Sequence, residues 1–163
     1  MIVNDDIEKI ILKDDVQNSI NYLTSNELSV DKLTDLLHLV IDGEKSKEIA
    51  KQLLLKGASV REERQEIRFS RTGRKMVSQN KASALSKCIK NGRKENAALL
   101  ETILEHSIHQ NITSEEISSL LIYVSSHKML ESAKVLIKKG KKKKNLVFFF
   151  FFFILFILPN KIK

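Results

Sequence analysis

Residues 36–60 read LLHLVIDGEKSKEIAKQLLLKGASV. Leu36, Leu37, Val40 and Ile41 recur at the spacing of one helix face, a polar DGEKS break follows, and Ile49, Leu53 and Leu54 resume the same spacing. Lys56-Gly57 then closes the second run, because glycine enters the left-handed backbone region just past a helix end without a side-chain penalty. The stretch predicts a helix-turn-helix pair. Such a pair cannot bury its apolar faces alone, so it predicts stacking on further pairs.

The same phrase recurs on both sides. LLIYVSSHKMLESAKVLIKKG, residues 120–140, repeats it with Leu120, Leu121 and Val124, then Leu130, Ala133, Leu136 and Ile137, and ends on the same Lys-Gly at Gly140. Residues 83–106 place Leu85, Cys88 and Ile89 before an Asn91-Gly92 break and Ala97, Leu100, Ile103 and Leu104 after it. A fainter copy spans residues 7–31, broken at Lys13-Asp14-Asp15, with Asn26 where the closing glycine would stand. Asparagine is the next best left-handed residue.

This phrase resembles the ankyrin repeat, whose pattern runs T-P-L-H-x-A, a loop glycine, an E-I-V-x-x-L-L helix and a closing G-A-D. Leu37-His38 supply the Leu-His, Glu48-Ile49 the Glu-Ile, Leu53 to Leu55 the leucines, and Gly57-Ala58-Ser59-Val60 the close. The resemblance implies an all-α fold, a short solenoid of stacked antiparallel helix pairs over residues 5–140, with units at about 5–31, 33–60, 82–111 and 116–140. Its repeat positions fall on Leu37, His38, Gly57, Leu85, Gly92, Leu121 and Gly140, and it gives His38 a structural role, linking neighbouring loops. It implies a non-enzymatic protein–protein interaction module, a scaffold or adaptor. Asp35-Leu36 departs from the usual Thr-Pro, and the spacings Leu37 to Leu85 and Leu85 to Leu121 are 48 and 36 residues, against about 33 for the family. A generic helical-repeat array or an irregular small bundle satisfies the same pattern.

The excess in the first spacing is REERQEIRFSRTGRKMVSQNK, residues 61–81, which reads as a long, basic surface loop. Insertions in repeat arrays fall on one face, often the binding face. Arg64, Arg68, Arg71, Arg74 and Lys75 are therefore the expected partner contacts, suited to an acidic protein surface. An insertion without a partner is the plain alternative.

Charge elsewhere points away from nucleic acid. Residues 1–60 hold seven basic and eleven acidic side chains, residues 61–81 seven and three, and residues 82–137 six of each, so the net +8 lies in the eight lysines of residues 138–163. Basic residues are not interleaved with aromatics, and no helix carries a single basic stripe, which disfavours a nucleic-acid partner. One cysteine excludes an internal disulfide framework and suits an intracellular, most simply cytoplasmic, setting. The acidic start MIVNDDIEKI lacks the basic and apolar regions of a secretory signal.

Residues 141–163 form a separate Lys-rich and Phe-rich tail. Its apolar run, residues 146–158, spans roughly 20 Å as a helix, short of the roughly 30 Å of a bilayer core. Three readings stand: a marginal membrane anchor flanked by lysines, a basic localisation or nucleic-acid patch, and translation past an interrupted reading frame, since runs of A and T encode lysine and phenylalanine.

No catalytic, metal or cofactor role is expected. His106 and His109 lack a completing cysteine or acid, and no H-E-x-x-H occurs. Cys88 sits on an apolar stripe, where packing explains it. Arg71-Thr72-Gly73-Arg74-Lys75 lacks the phosphate-loop frame, and paired acids such as Glu115-Glu116 fall on polar stretches. Thr113 with Glu116 reads as a capping box opening a helix.

Overall fold

A computed structural model of the chain describes residues 5–70, 75–90, 97–106, 110 and 112–140. Gly92 and the tail lie outside the described residues. Four helices precede a hairpin: α1 (Asp5–Leu12), α2 (Val16–Ser25), α3 (Val30–Asp42) and α4 (Lys47–Leu55). The antiparallel strands β1 (Glu63–Phe69) and β2 (Lys75–Ser83) follow, and then α5 (Ala84–Lys90), α6 (Ala97–His106), α7 (Ser114–Ser126) and α8 (Leu130–Gly140).

Short polar side chains start these helices by accepting the N–H groups that the first turn leaves unpaired. Asp15 accepts from Asn18, Ser29 from Lys32 and Ser46 from Glu48. Thr113 accepts from Glu116 N–H while the Glu116 carboxylate reaches back to Thr113 N–H, closing the capping box read from the sequence. Helix ends repeat one device. After α1, α3 and α7, Asp14, Glu44 and Lys128 take φ of 57°, 51° and 57°, and Gly57 after α4 takes 101°. The backbone bonds around each are the same, as Asp14→Ile11, Glu44→Ile41, Gly57→Leu54 and Lys128→Ser125 illustrate.

The helices lie in two rows. α1, α3, α5 and α7 touch in that order, as do α2, α4, α6 and α8, and each odd helix packs on the even helix that follows it. The apolar stripes meet between the rows. Leu36, Leu37, Val40 and Ile41 of α3, Ile49, Leu53 and Leu54 of α4, and Leu85, Cys88 and Ile89 of α5 are all buried. Each fully buried leucine or isoleucine contributes roughly 1.5–3 kcal/mol, which is what holds short helices that would not persist alone.

Four expectations are corrected. Residues 61–81 are mostly a β-hairpin rather than a loop, so the chain is mostly helical with a two-stranded sheet rather than all-α. Asn26 has an extended backbone at φ −125°, because its side chain and its own N–H both donate to Tyr22 C=O and cap α2 without a left-handed turn. Gly140 is the last residue of α8 and buried, not the left-handed residue beyond it. Leu130 and Leu55, read as part of the apolar pattern, are exposed.

Candidate functional site

The hairpin leaves the helical body between the second and third pairs, and α3 explains its position. Asp31, Asp35, His38 and Asp42 recur at helical spacing, which aligns them along the side of α3 that meets β1. Each one holds the chain entering or forming β1. The Arg64 guanidinium donates to Asp35 at 2.6 Å, Asp31 at 3.1 Å and Glu62 at 2.7 Å. His38 Nε2 meets Glu62 C=O at 3.1 Å. Asp42 Oδ2 accepts Ile67 N–H at 2.8 Å.

Lys87, from α5, closes the arrangement. Its Nζ donates to Asp42 Oδ2 at 2.7 Å and to Gln65 C=O at 2.9 Å, with the lysine 1% and the aspartate 0% exposed. An ammonium and a carboxylate removed from water each carry a large desolvation cost, tolerable only when they pair and their other hydrogen-bonding groups are used. The β1 backbone supplies those groups, so the pair and the strand depend on each other.

Below the base, Ser59 N–H donates to Thr34 Oγ1, Val60 N–H to Gln110, and Gln110 in turn donates to Ala58 C=O. Arg61 reaches Glu116 at 2.8 Å. The segment between α4 and β1 is thus tied to α3 on one side and to Gln110 and the first turn of α7 on the other.

Electrostatics follow from burial. His38 is 1% exposed, and burial pushes its imidazole down to about 4, with the Lys87 charge acting the same way and the Glu62 bond opposing. With Nε2–H facing a carbonyl, Nδ1 is the bare nitrogen, and among the described residues it has no hydrogen-bond partner. Burial also pushes the Cys88 thiol well up, so it packs as a small apolar residue. His38, Asp42 and Lys87 are closed to solvent, so this polar cluster acts as a dock for the hairpin.

The five expected contact residues separate. Arg64 is committed to the protein's own acids, and its bond to Asp35 raises its already high pKa further. Lys75 is exposed on β2 with Glu8 3.6 Å away. Arg68 pairs with Met76 across the hairpin, with only its backbone described, and Arg71 and Arg74 lie outside the described residues. Sequence reasoning missed Asp42 and Lys87. Their signal was present: an acid ending the α3 polar stripe, and a lysine beside Cys88 in a short apolar helix.

Among the described residues no group of His, Cys, Asp and Glu is placed to hold a metal ion, and no helix is long and apolar enough to cross a membrane. No protein-family description, curated protein or solved structure matches the chain.

Proposed function

We propose that the chain is a non-enzymatic protein-recognition module, an ankyrin-like stack of helix pairs that presents its hairpin to an acidic surface of a partner protein. The observation that carries the reading is the docked hairpin itself. It lies along α3 of the helical body, is anchored by a buried ion pair, and exposes Lys75, Met76, Val77, Gln79, Asn80 and Lys81 on β2. The two rows of helices and the left-handed turn repeated at Asp14, Glu44 and Lys128 support the ankyrin-like part. Rigid presentation favours binding because little conformational freedom is lost on association.

The test is photo-crosslinking in the cells that make the protein, with a photoreactive residue at Gln79 on the hairpin or at the exposed Lys51 of α4. A protein adduct specific to position 79 that disappears on reversing Lys75 and Lys81 to glutamate is expected. Equal adducts from both positions, or none, would sink the reading. A membrane tether through residues 146–158 rests on the sequence of the tail alone.

A further inference from the structure

We propose that the outer edge of β2 accepts an extended, acidic segment of a partner protein as a third strand of the sheet. This rests on the protein-recognition reading and specifies how the partner is held.

The two edges of the hairpin differ. Ile67 N–H and Gln65 C=O point away from β2 and are taken by Asp42 and Lys87, so the inner edge of β1 is already used. In an antiparallel ladder, residues opposite such positions also turn their backbone groups outward. Val77 faces Ile67, and Lys81 faces Gln65, so both direct N–H and C=O groups off the outer edge of β2. Among the described residues no element beyond β1 and α5 packs substantially on β2. Exposed strand edges are templates for a further strand.

Side chains select the kind of strand. Met76 and Val77 are 49% and 56% exposed and, as neighbours in a strand, point to opposite faces. An occupant lying on one face meets only one of them, whereas a strand added edge-on meets both. β2 carries Lys75 and Lys81 and no acid. A second copy of β2 would bring like charges together, whereas an acidic strand complements them. The register shift between Gln65 and Ile67 leaves three β2 residues opposite Glu66, so the added strand is centred on Lys75–Val77.

The probe is a fluorescein-labelled decapeptide alternating glutamate and valine, with a lysine-for-glutamate counterpart, titrated against the full chain. Val77→Pro removes the outward N–H without touching the ladder to β1, a position where edge strands tolerate proline, and Val77→Thr keeps that N–H. Circular dichroism melts establish that both variants fold. The acidic peptide should bind the parent and Val77→Thr alike, bind Val77→Pro about tenfold more weakly, and lose affinity with salt, while the lysine peptide does not bind. Equal affinity for the parent and Val77→Pro overturns strand addition, as does an acidic peptide that fails to bind the parent. A crosslinked partner that Val77→Pro retains would also overturn it while leaving protein recognition standing.

Discussion

The Asp42 carboxylate lies 2.7 Å from the Lys87 ammonium, with both side chains sealed from water, and the same oxygen receives Ile67 N–H. Removing one partner leaves the other charge buried and unpaired. Asp42→Ala is expected to cost about 3–5 kcal/mol in urea unfolding. Exchange of the Ile67 amide should quicken beyond the global loss, because its acceptor is gone. A cost below about 1 kcal/mol would mean that water reaches the pair.

His38 gives the fold a dependence on acid. Its imidazole stays neutral in the folded protein down to about 4, whereas in the unfolded chain it takes up a proton near 6.5. Between those values the unfolded chain binds more protons, so stability is full above 6.5 and falls as pH drops toward 4, by on the order of 3 kcal/mol. His38→Gln cannot titrate. Melting temperatures of the parent and the variant should converge as pH falls from 7 to 4.5, and a constant gap would rule out a buried neutral imidazole.

Glu44 and Lys128 occupy a backbone region that costs a side-chain-bearing residue roughly 1 kcal/mol. Glu44→Gly and Lys128→Gly should each stabilise by about 0.5 kcal/mol at most, because the greater freedom of glycine in the unfolded chain offsets much of the relief. Gly57→Ala should destabilise by about 1 kcal/mol through backbone strain, since an added Cβ meets nothing within 4 Å. Chemical denaturation of the three variants checks the set. Opposite signs would remove the shared left-handed turn.

Thr113→Ala removes the capping oxygen of α7 and is expected to cost about 1 kcal/mol in a thermal or urea melt. Glu116→Gln keeps a hydrogen-bonding group at the box but discharges the Arg61 pair, and should cost less at high salt than at low. A salt-independent loss would argue against that pair.

The helical elements were legible because their apolar residues recur with the helix period, as Leu36, Leu37, Val40 and Ile41 do in α3. The hairpin was not. Its strands interleave charged residues with Ile67, Met76 and Val77, and much of what fixes them comes from α3 and α5, distant in sequence. Non-local hydrogen bonds leave no periodic trace. Lys87 stands out in the sequence as a lysine beside Cys88 in an apolar helix, but only the fold shows that Asp42 is its partner. Arg64 was read as a partner contact because net charge over residues 61–81 cannot reveal that Asp31 and Asp35 stand opposite it.

Among the described residues the main helix contacts run within each pair and between consecutive pairs along the two rows. Under mechanical tension such a chain behaves as links in series, and pulled from its ends it should peel away one pair at a time, in small steps. The junction between the second and third pairs is different. There the Asp42–Lys87 bond spans two helices and also grips a strand that belongs to neither row, so extension has to rupture a water-free ionic contact before that junction parts. The hairpin root is therefore the stretch expected to hold longest under load.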